Sequence, residues 1–138
     1  MNGPDFLDTN ILVYAYDASS PRKQHLAREL LQRGIVGEVV TSTQVLAEFA
    51  ATLLHKGNSP ANPKEVLRIL DALSPIKTIA TDAQMVARAV EAKDAYAIHF
   101  YDAMIIAAAE RCGASRIWSE DFNAGQQYFG ATVQNPFR

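Results

Sequence analysis

Short apolar runs alternate with longer segments of helical period along the whole chain, and no other feature limits the fold so strongly. The runs are 5–8 (DFLD), which stops at Asp8, then 38–42 (EVVTS), 76–80 (IKTIA), 116–119 (RIWS) and 131–137 (ATVQNPF). Between them lies a helix over 21–34, with Ser20 as N-cap, Pro21 at the first helical position and Gly34 just past the end. A second helix is expected over 44–57, capped by Ser42 or Thr43 and ended by Gly57. Further helices are expected over 63–74, over 82–95 with Thr81 as cap, and over 100–113, the last alanine-rich and closed by Gly113. The segments 17–20 (DASS) and 58–62 (NSPAN) read as turn and loop. Strands separated by helices need crossover connections, so the fold class is α/β with a mostly parallel sheet covered on both faces.

Over 138 residues this amounts to one domain, 1–138, and an apolar fraction of 49% is enough to fill its core. The net charge of −2 provides no general basic field, so any grip on nucleic acid must come from local patches. Cys112 is the one cysteine, which excludes an internal disulfide and a cysteine-rich zinc site and fits a reducing compartment. Neither a signal-peptide pattern nor a run of about 18 apolar residues is visible, so the expectation is a cytoplasmic protein without a membrane span.

Within the first run, Asp8, Thr9 and Asn10 interrupt apolar sequence from Phe6 to Val13. A carboxylate beside a core is costly unless something compensates it. In open α/β sheets the binding crevice lies beyond the carboxyl ends of the strands, and Asp8 falls at such an end. Asp121, and with it Glu120, leaves the 116–119 strand at the same rim. Asp102 opens the alanine-rich helix, where the helix dipole favours an anion, and Glu48 sits at the border of its helix's apolar face. Each has an ordinary reading when taken alone: Asp102 as a cap, Asp121 as a turn residue, Glu48 as a solvated side chain. Together Asp8, Glu48, Asp102 and Asp121 are four carboxylates expected to converge, and they repel one another unless a cation lies between them. Oxygen ligands alone suit Mg²⁺ or Mn²⁺ rather than Zn²⁺. Thr9, Asn10 and Ser119 then become groups that hold water or orient a carboxylate. The histidines His25, His55 and His99 lack paired ligand spacing and read as structural, although His99 lies close to Asp102 in sequence.

The stretches FLDTNILVYAYD, QVLAEF around Glu48, FYDAMIIAAAERCG around Asp102, and IWSEDF with NPF at the end resemble the PIN domain family, especially its VapC-like toxin ribonucleases. The resemblance spans essentially the whole chain and implies a three-layer PIN-like sandwich acting as a divalent-metal-dependent endoribonuclease, the toxin of a toxin–antitoxin pair. It implies a catalytic set of Asp8, Glu48, Asp102 and Asp121, with Asp8, Asp102 and Asp121 as metal ligands and Glu48 able to orient the attacking water. Thr9, Asn10 and Ser119 are implied as supporting polar groups, and Glu120 as an outer contributor. It also implies a homodimer and a small antitoxin that covers the acidic crevice; the sequence itself supports association only indirectly, through Tyr14, Tyr16, Leu53 and Leu54, which exceed what one helix face must bury.

RNA must still approach this acidic rim. Arg22, Lys23, Arg28, Arg33 and Lys56 are candidates for phosphate contacts, and Tyr14, Tyr16 and Tyr96 for stacking on bases. Two other readings stand beside the nuclease. One is a catalytically silent module whose acidic rim docks a basic partner. The other is a haloacid-dehalogenase-like phosphatase with Asp8 as nucleophile, which would want a second aspartate where this chain has Asn10.

Overall fold

The computed structural model describes residues 3–55 and 61–138. Strands β1 (Asp5–Leu7), β2 (Val39–Ser42), β3 (Lys77–Ile79), β4 (Arg116–Trp118), β5 (Gln127–Tyr128) and β6 (Ala131–Gln134) form one sheet in the order β3-β2-β1-β4-β6-β5. Every pairing is parallel except that of β5 with β6. The helices are α1 (Thr9–Ala15), α2 (Pro21–Ile35), α3 (Thr43–His55), α4 (Pro63–Ala72), α5 (Ala83–Tyr96) and α6 (Phe100–Arg111). All residues of β1 and β2 are buried, as strands covered on both faces must be. The expected α/β architecture is therefore the observed one.

Several helices start and stop for reasons visible in the sequence, and some do not. Pro21 opens α2 after Ser20, whose side chain makes no capping bond. Gly34 is not the terminator but a packing residue inside α2: a Cβ there would lie 2.6 Å from Val39 Cγ2 and 2.8 Å from Ile76 Cγ1. The left-handed turn falls instead on Gly37, at φ +85°. Of the two expected caps for α3, Ser42 is the one that accepts from the Val45 amide (3.3 Å), while the Thr43 hydroxyl accepts from the Thr81 amide (3.2 Å). Thr81 is thus not the cap of α5. That position belongs to Asp82, which accepts from the Met85 amide at 2.9 Å. In α6 seven successive residues, Ala103–Ala109, are buried, and the small side chains let α5 and the sheet approach from different sides.

Two elements escaped the sequence pattern. The segment after Asp8 is a helix, α1, which buries Ile11, Leu12 and Ala15. Its β-branched and aromatic residues have weak helix propensity, and packing against α2 and α3 outweighs that preference. The last run yields a strand only over Ala131–Gln134, preceded by β5 through a tight turn in which Phe129 (φ 47°) and Gly130 (φ 86°) are both left-handed. The DASS turn is held by Asp17, which accepts from the Ser19 amide and hydroxyl at 3.0 and 2.6 Å. The expected helix end at Gly57 and most of the 58–62 loop lie outside the described residues.

Candidate active site

Strand β1 lies where the sheet order turns, with β2 and β3 to one side and β4, β6 and β5 to the other. The crevice of an open α/β sheet forms at such a point, beyond the carboxyl ends of the two central strands. Leu7 pairs with Trp118, so Asp8 and Ser119 leave β1 and β4 side by side, and the Asp8 amide donates to the Trp118 carbonyl at 3.1 Å.

Asp8 is only 5% exposed. One carboxylate oxygen accepts from the Thr9 amide (2.7 Å), which makes Asp8 the N-cap of α1, and the other accepts from the Ser119 hydroxyl (2.7 Å). These bonds do not offset the burial. Desolvation, reinforced by the charges of Asp121 and Glu48, raises its pKa from 3.8 to about 7.

Asn10, in the first turn of α1, holds the loop that follows β4. Its Oδ1 accepts from the Glu120 amide (3.2 Å), while its Nδ2 donates to Asp121 Oδ2 (3.0 Å) and to Ser119 Oγ (3.4 Å). Ser119 Oγ also accepts from the Asp121 amide at 3.1 Å. Asp121 is thereby fixed beside Asp8 although its side chain reaches solvent.

Asp102 sits in the first turn of α6, whose N-cap position is His99, so it is not the helix cap. Its pKa is raised by partial burial and then by Asp121, against a lowering from His99. Glu48 is exposed on α3 and accepts from Gln44 Nε2 at 2.8 Å. Electrostatically the carboxylates form a connected series: Asp8 responds to Glu48 and Asp121, and Asp102 responds to Asp121. Among the described residues, no three His, Cys, Asp or Glu side chains stand close enough to enclose an ion in this conformation.

The donor chemistry nonetheless suits a hard cation. Among the described residues, no lysine or arginine is bonded to Asp8, Glu48, Asp102 or Asp121, and the buried Asp8 is pushed toward neutrality. Thr9 Oγ1, next to Asp8, is buried without a hydrogen-bond partner among the described residues, a further oxygen available to a bound group.

Glu120, by contrast, is turned away. It takes a 2.6 Å ion pair from Lys23 and a 2.7 Å bond from the Tyr14 hydroxyl. Burial disfavours its charge, but these two donors hold its carboxyl below the ordinary value. The same pairing occupies Lys23. Arg28 donates to the Ala15 carbonyl (2.8 Å) and Arg33 to Asp5 (2.9 Å), so three of the expected phosphate contacts serve the fold. Arg22 is exposed, and Lys56 lies outside the described residues.

The expected stacking aromatics are also engaged. Tyr14 meets Phe137 edge-on, Tyr16 packs on Phe49, and Tyr96 packs on Tyr128 and Phe129 while its hydroxyl accepts from the Phe129 amide (2.8 Å). Their rings contact residues distant in sequence: Phe49 in α3, Tyr128 in β5, Phe129 in the turn after it, and Phe137 beyond β6. Among the described residues the exposed aromatic is Tyr101, 69% accessible and adjacent to Asp102, which the sequence pattern did not single out. Gln44 was missed as well, although its position one helical turn before Glu48 is a spacing that brings side chains together.

The PIN domain family profile matches residues 6–128. The chain belongs to the PIN domain family. This PIN domain is similar in fold to a toxin–antitoxin complex from Klebsiella pneumoniae, at TM-score 0.71 and 19% identity over 96% of this chain and 97% of that one. It is also similar to DNA-bound VapBC from Salmonella typhimurium, at TM-score 0.70 and 17% identity over 99% of both chains. A third similar structure is VapC20 from Mycobacterium tuberculosis, a Sarcin-Ricin loop cleaving toxin, at TM-score 0.62 and 20% identity over 85% of this chain and 91% of that one. No curated protein matches this PIN domain. None of the helices among its described residues is long and apolar enough to cross a membrane.

Proposed function

We propose that this PIN domain is a divalent-metal-dependent endoribonuclease and the toxin of a toxin–antitoxin pair, working as a single cytoplasmic domain. The observation that carries the proposal is the buried Asp8 carboxylate at the switch point of the sheet, driven toward neutrality by burial and by its acidic neighbours. A carboxylate so placed serves a cation better than it serves the fold. Asp8, Asp102 and Asp121 are the side chains that would hold Mg²⁺ or Mn²⁺, and Glu48 is the group that would orient the attacking water. A bound divalent ion supplies a water of lowered pKa and stabilises charge on the phosphate oxygens.

The remaining residues keep this chemistry in place. Thr9 and Ser119 fix the orientation of the Asp8 carboxylate through their bonds to its two oxygens. Asn10 fixes Asp121. Tyr101 offers a base the exposed ring that the other tyrosines cannot, which suits unpaired RNA. The toxin reading is supported by similar structures solved as toxin–antitoxin complexes, and from it follow a small antitoxin over the acidic crevice and a homodimer. Family membership sets aside the phosphatase reading.

The test is digestion of total RNA with the purified protein, in EDTA and in Mn²⁺, with the ends mapped. Mn²⁺-dependent cleavage that is absent in Asp8→Asn is the expected result. An intact RNA pool in Mn²⁺ would leave the docking module as the better reading.

A further inference from the structure

Glu48 stands mid-helix on α3 and is exposed, within electrostatic reach of the like charge of Asp8. A long, flexible side chain in that situation turns toward solvent unless it is held. What holds it is Gln44. Its Nε2 donates to Glu48 Oε1 at 2.8 Å and to the Tyr101 carbonyl at 3.1 Å. Both partners are pure acceptors, so the amide has one possible orientation: nitrogen toward Glu48 and Tyr101. Tyr101 lies in the first turn of α6, immediately before Asp102, so one amide group connects the α3 carboxylate to the helix that carries Asp102.

We infer that Gln44 is a positioning residue that aims Glu48 into the acidic crevice. The inference rests on the nuclease reading above. The residue type matters because an amide holds Glu48 without neutralising it. A lysine or arginine at position 44 would reach the same oxygen but cancel the charge that makes Glu48 useful toward water, and it would set a cation beside the metal-holding carboxylates. A glutamate would repel it, and a leucine would release it. Gln44 acts through Glu48 and touches neither substrate nor metal.

The experiment compares wild type, Gln44→Leu, Glu48→Gln and the double variant, each as the full chain in Mn²⁺, on a single-stranded RNA carrying a mapped cleavage site. Gln44→Leu is expected to lower kcat by roughly 10- to 100-fold, the usual scale for losing a group that orients a catalytic side chain. KM and the Mn²⁺ affinity measured by calorimetry should stay within about twofold, and the loss should vanish in the Glu48→Gln background. Wild-type kcat in Gln44→Leu, or an equal loss in both backgrounds, overturns the inference while leaving the nuclease standing. A wild type that cleaves no RNA overturns both. Should Gln44→Leu fail to fold, the side-chain amide resonances of Gln44 give the answer in the wild-type fold. Slow solvent exchange that is lost in Glu48→Ala supports the link, and exchange unchanged by Glu48→Ala overturns it.

Discussion

Asp8 shows how one buried carboxylate ties the fold to the proposed chemistry. Its folded-state pKa of about 7 lies above the ordinary 3.8, so between those values the folded chain keeps a proton that the unfolded chain has released. This contribution to stability is fully present below the lower value and is lost as pH rises through about 7. Asp102, raised for a similar reason, has the same sign. Glu110, bonded to Arg88 at 2.8 Å, and Glu120 have the opposite sign, because their partners hold them below the ordinary value and their contribution is lost on acidification. In EDTA, then, the melting temperature of the wild type should fall between pH 5 and pH 8 relative to that of Asp8→Asn. Parallel curves would mean that Asp8 ionises as freely folded as unfolded. Glu120 gives a contrasting expectation at the neighbouring loop. Because its carboxylate is committed to Lys23 and Tyr14, Glu120→Gln should keep kcat within about threefold and cost about 1 kcal/mol or less of stability, since the pair is partly exposed. A loss of cleavage as deep as that of Asp8→Asn would place Glu120 in the catalytic set instead.

Helix ends and helix packing make opposite demands on small residues, as Ala97 and Gly34 illustrate. Ala97 closes α5 in the left-handed region at φ 52°, where its Cβ is strained and glycine is not. Ala97→Gly should raise stability by about 0.5–1 kcal/mol, read as a shift in denaturant midpoint at constant m. Gly34 is the reverse case. It lies inside α2, where alanine would be the better helix former, but the added Cβ meets Val39 and Ile76 well inside contact distance. Gly34→Ala should therefore destabilise, by about 1–3 kcal/mol, because overpacking outweighs propensity. The same comparison explains Phe129, whose left-handed backbone is retained by the hydrogen bond its amide donates to the Tyr96 hydroxyl and by Arg88 lying 3.6 Å from its ring centroid.

For the molecule as a whole, the proposed metal links stability, turnover and RNA binding. An ion that binds only the folded, ionised cluster should stabilise it by about 2.7 kcal/mol when free ion is at a hundred times its dissociation constant. Mn²⁺ should accordingly raise the melting temperature of the wild type and leave that of Asp8→Asn nearly unchanged. An equal gain in both would separate metal binding from the carboxylate series. RNA binding is read at Tyr101. A stacked base contributes about 1–3 kcal/mol, so Tyr101→Ala should raise KM roughly fivefold or more with little change in kcat. A KM indistinguishable from wild type would move base recognition away from the first turn of α6.

The alternation of strand and helix periods was enough to specify a parallel α/β sheet, because periodicity is a local property that survives whatever the chain packs against. It also placed Asp8 and Ser119 at strand ends, and so at one rim once the strands were taken as parallel. Side-chain commitments were not legible in this way. Glu120 and Glu48 look equally available in sequence, yet Glu120 is taken by Lys23, 97 residues away, while Glu48 is held by Gln44, whose amide also reaches Tyr101, 57 residues on. Likewise α1 has too few turns and too many β-branched residues to declare itself, and it exists because Asp8 caps it and α2 and α3 bury it. Such choices depend on which neighbours strand pairing brings together, and that pairing exists only in the folded chain.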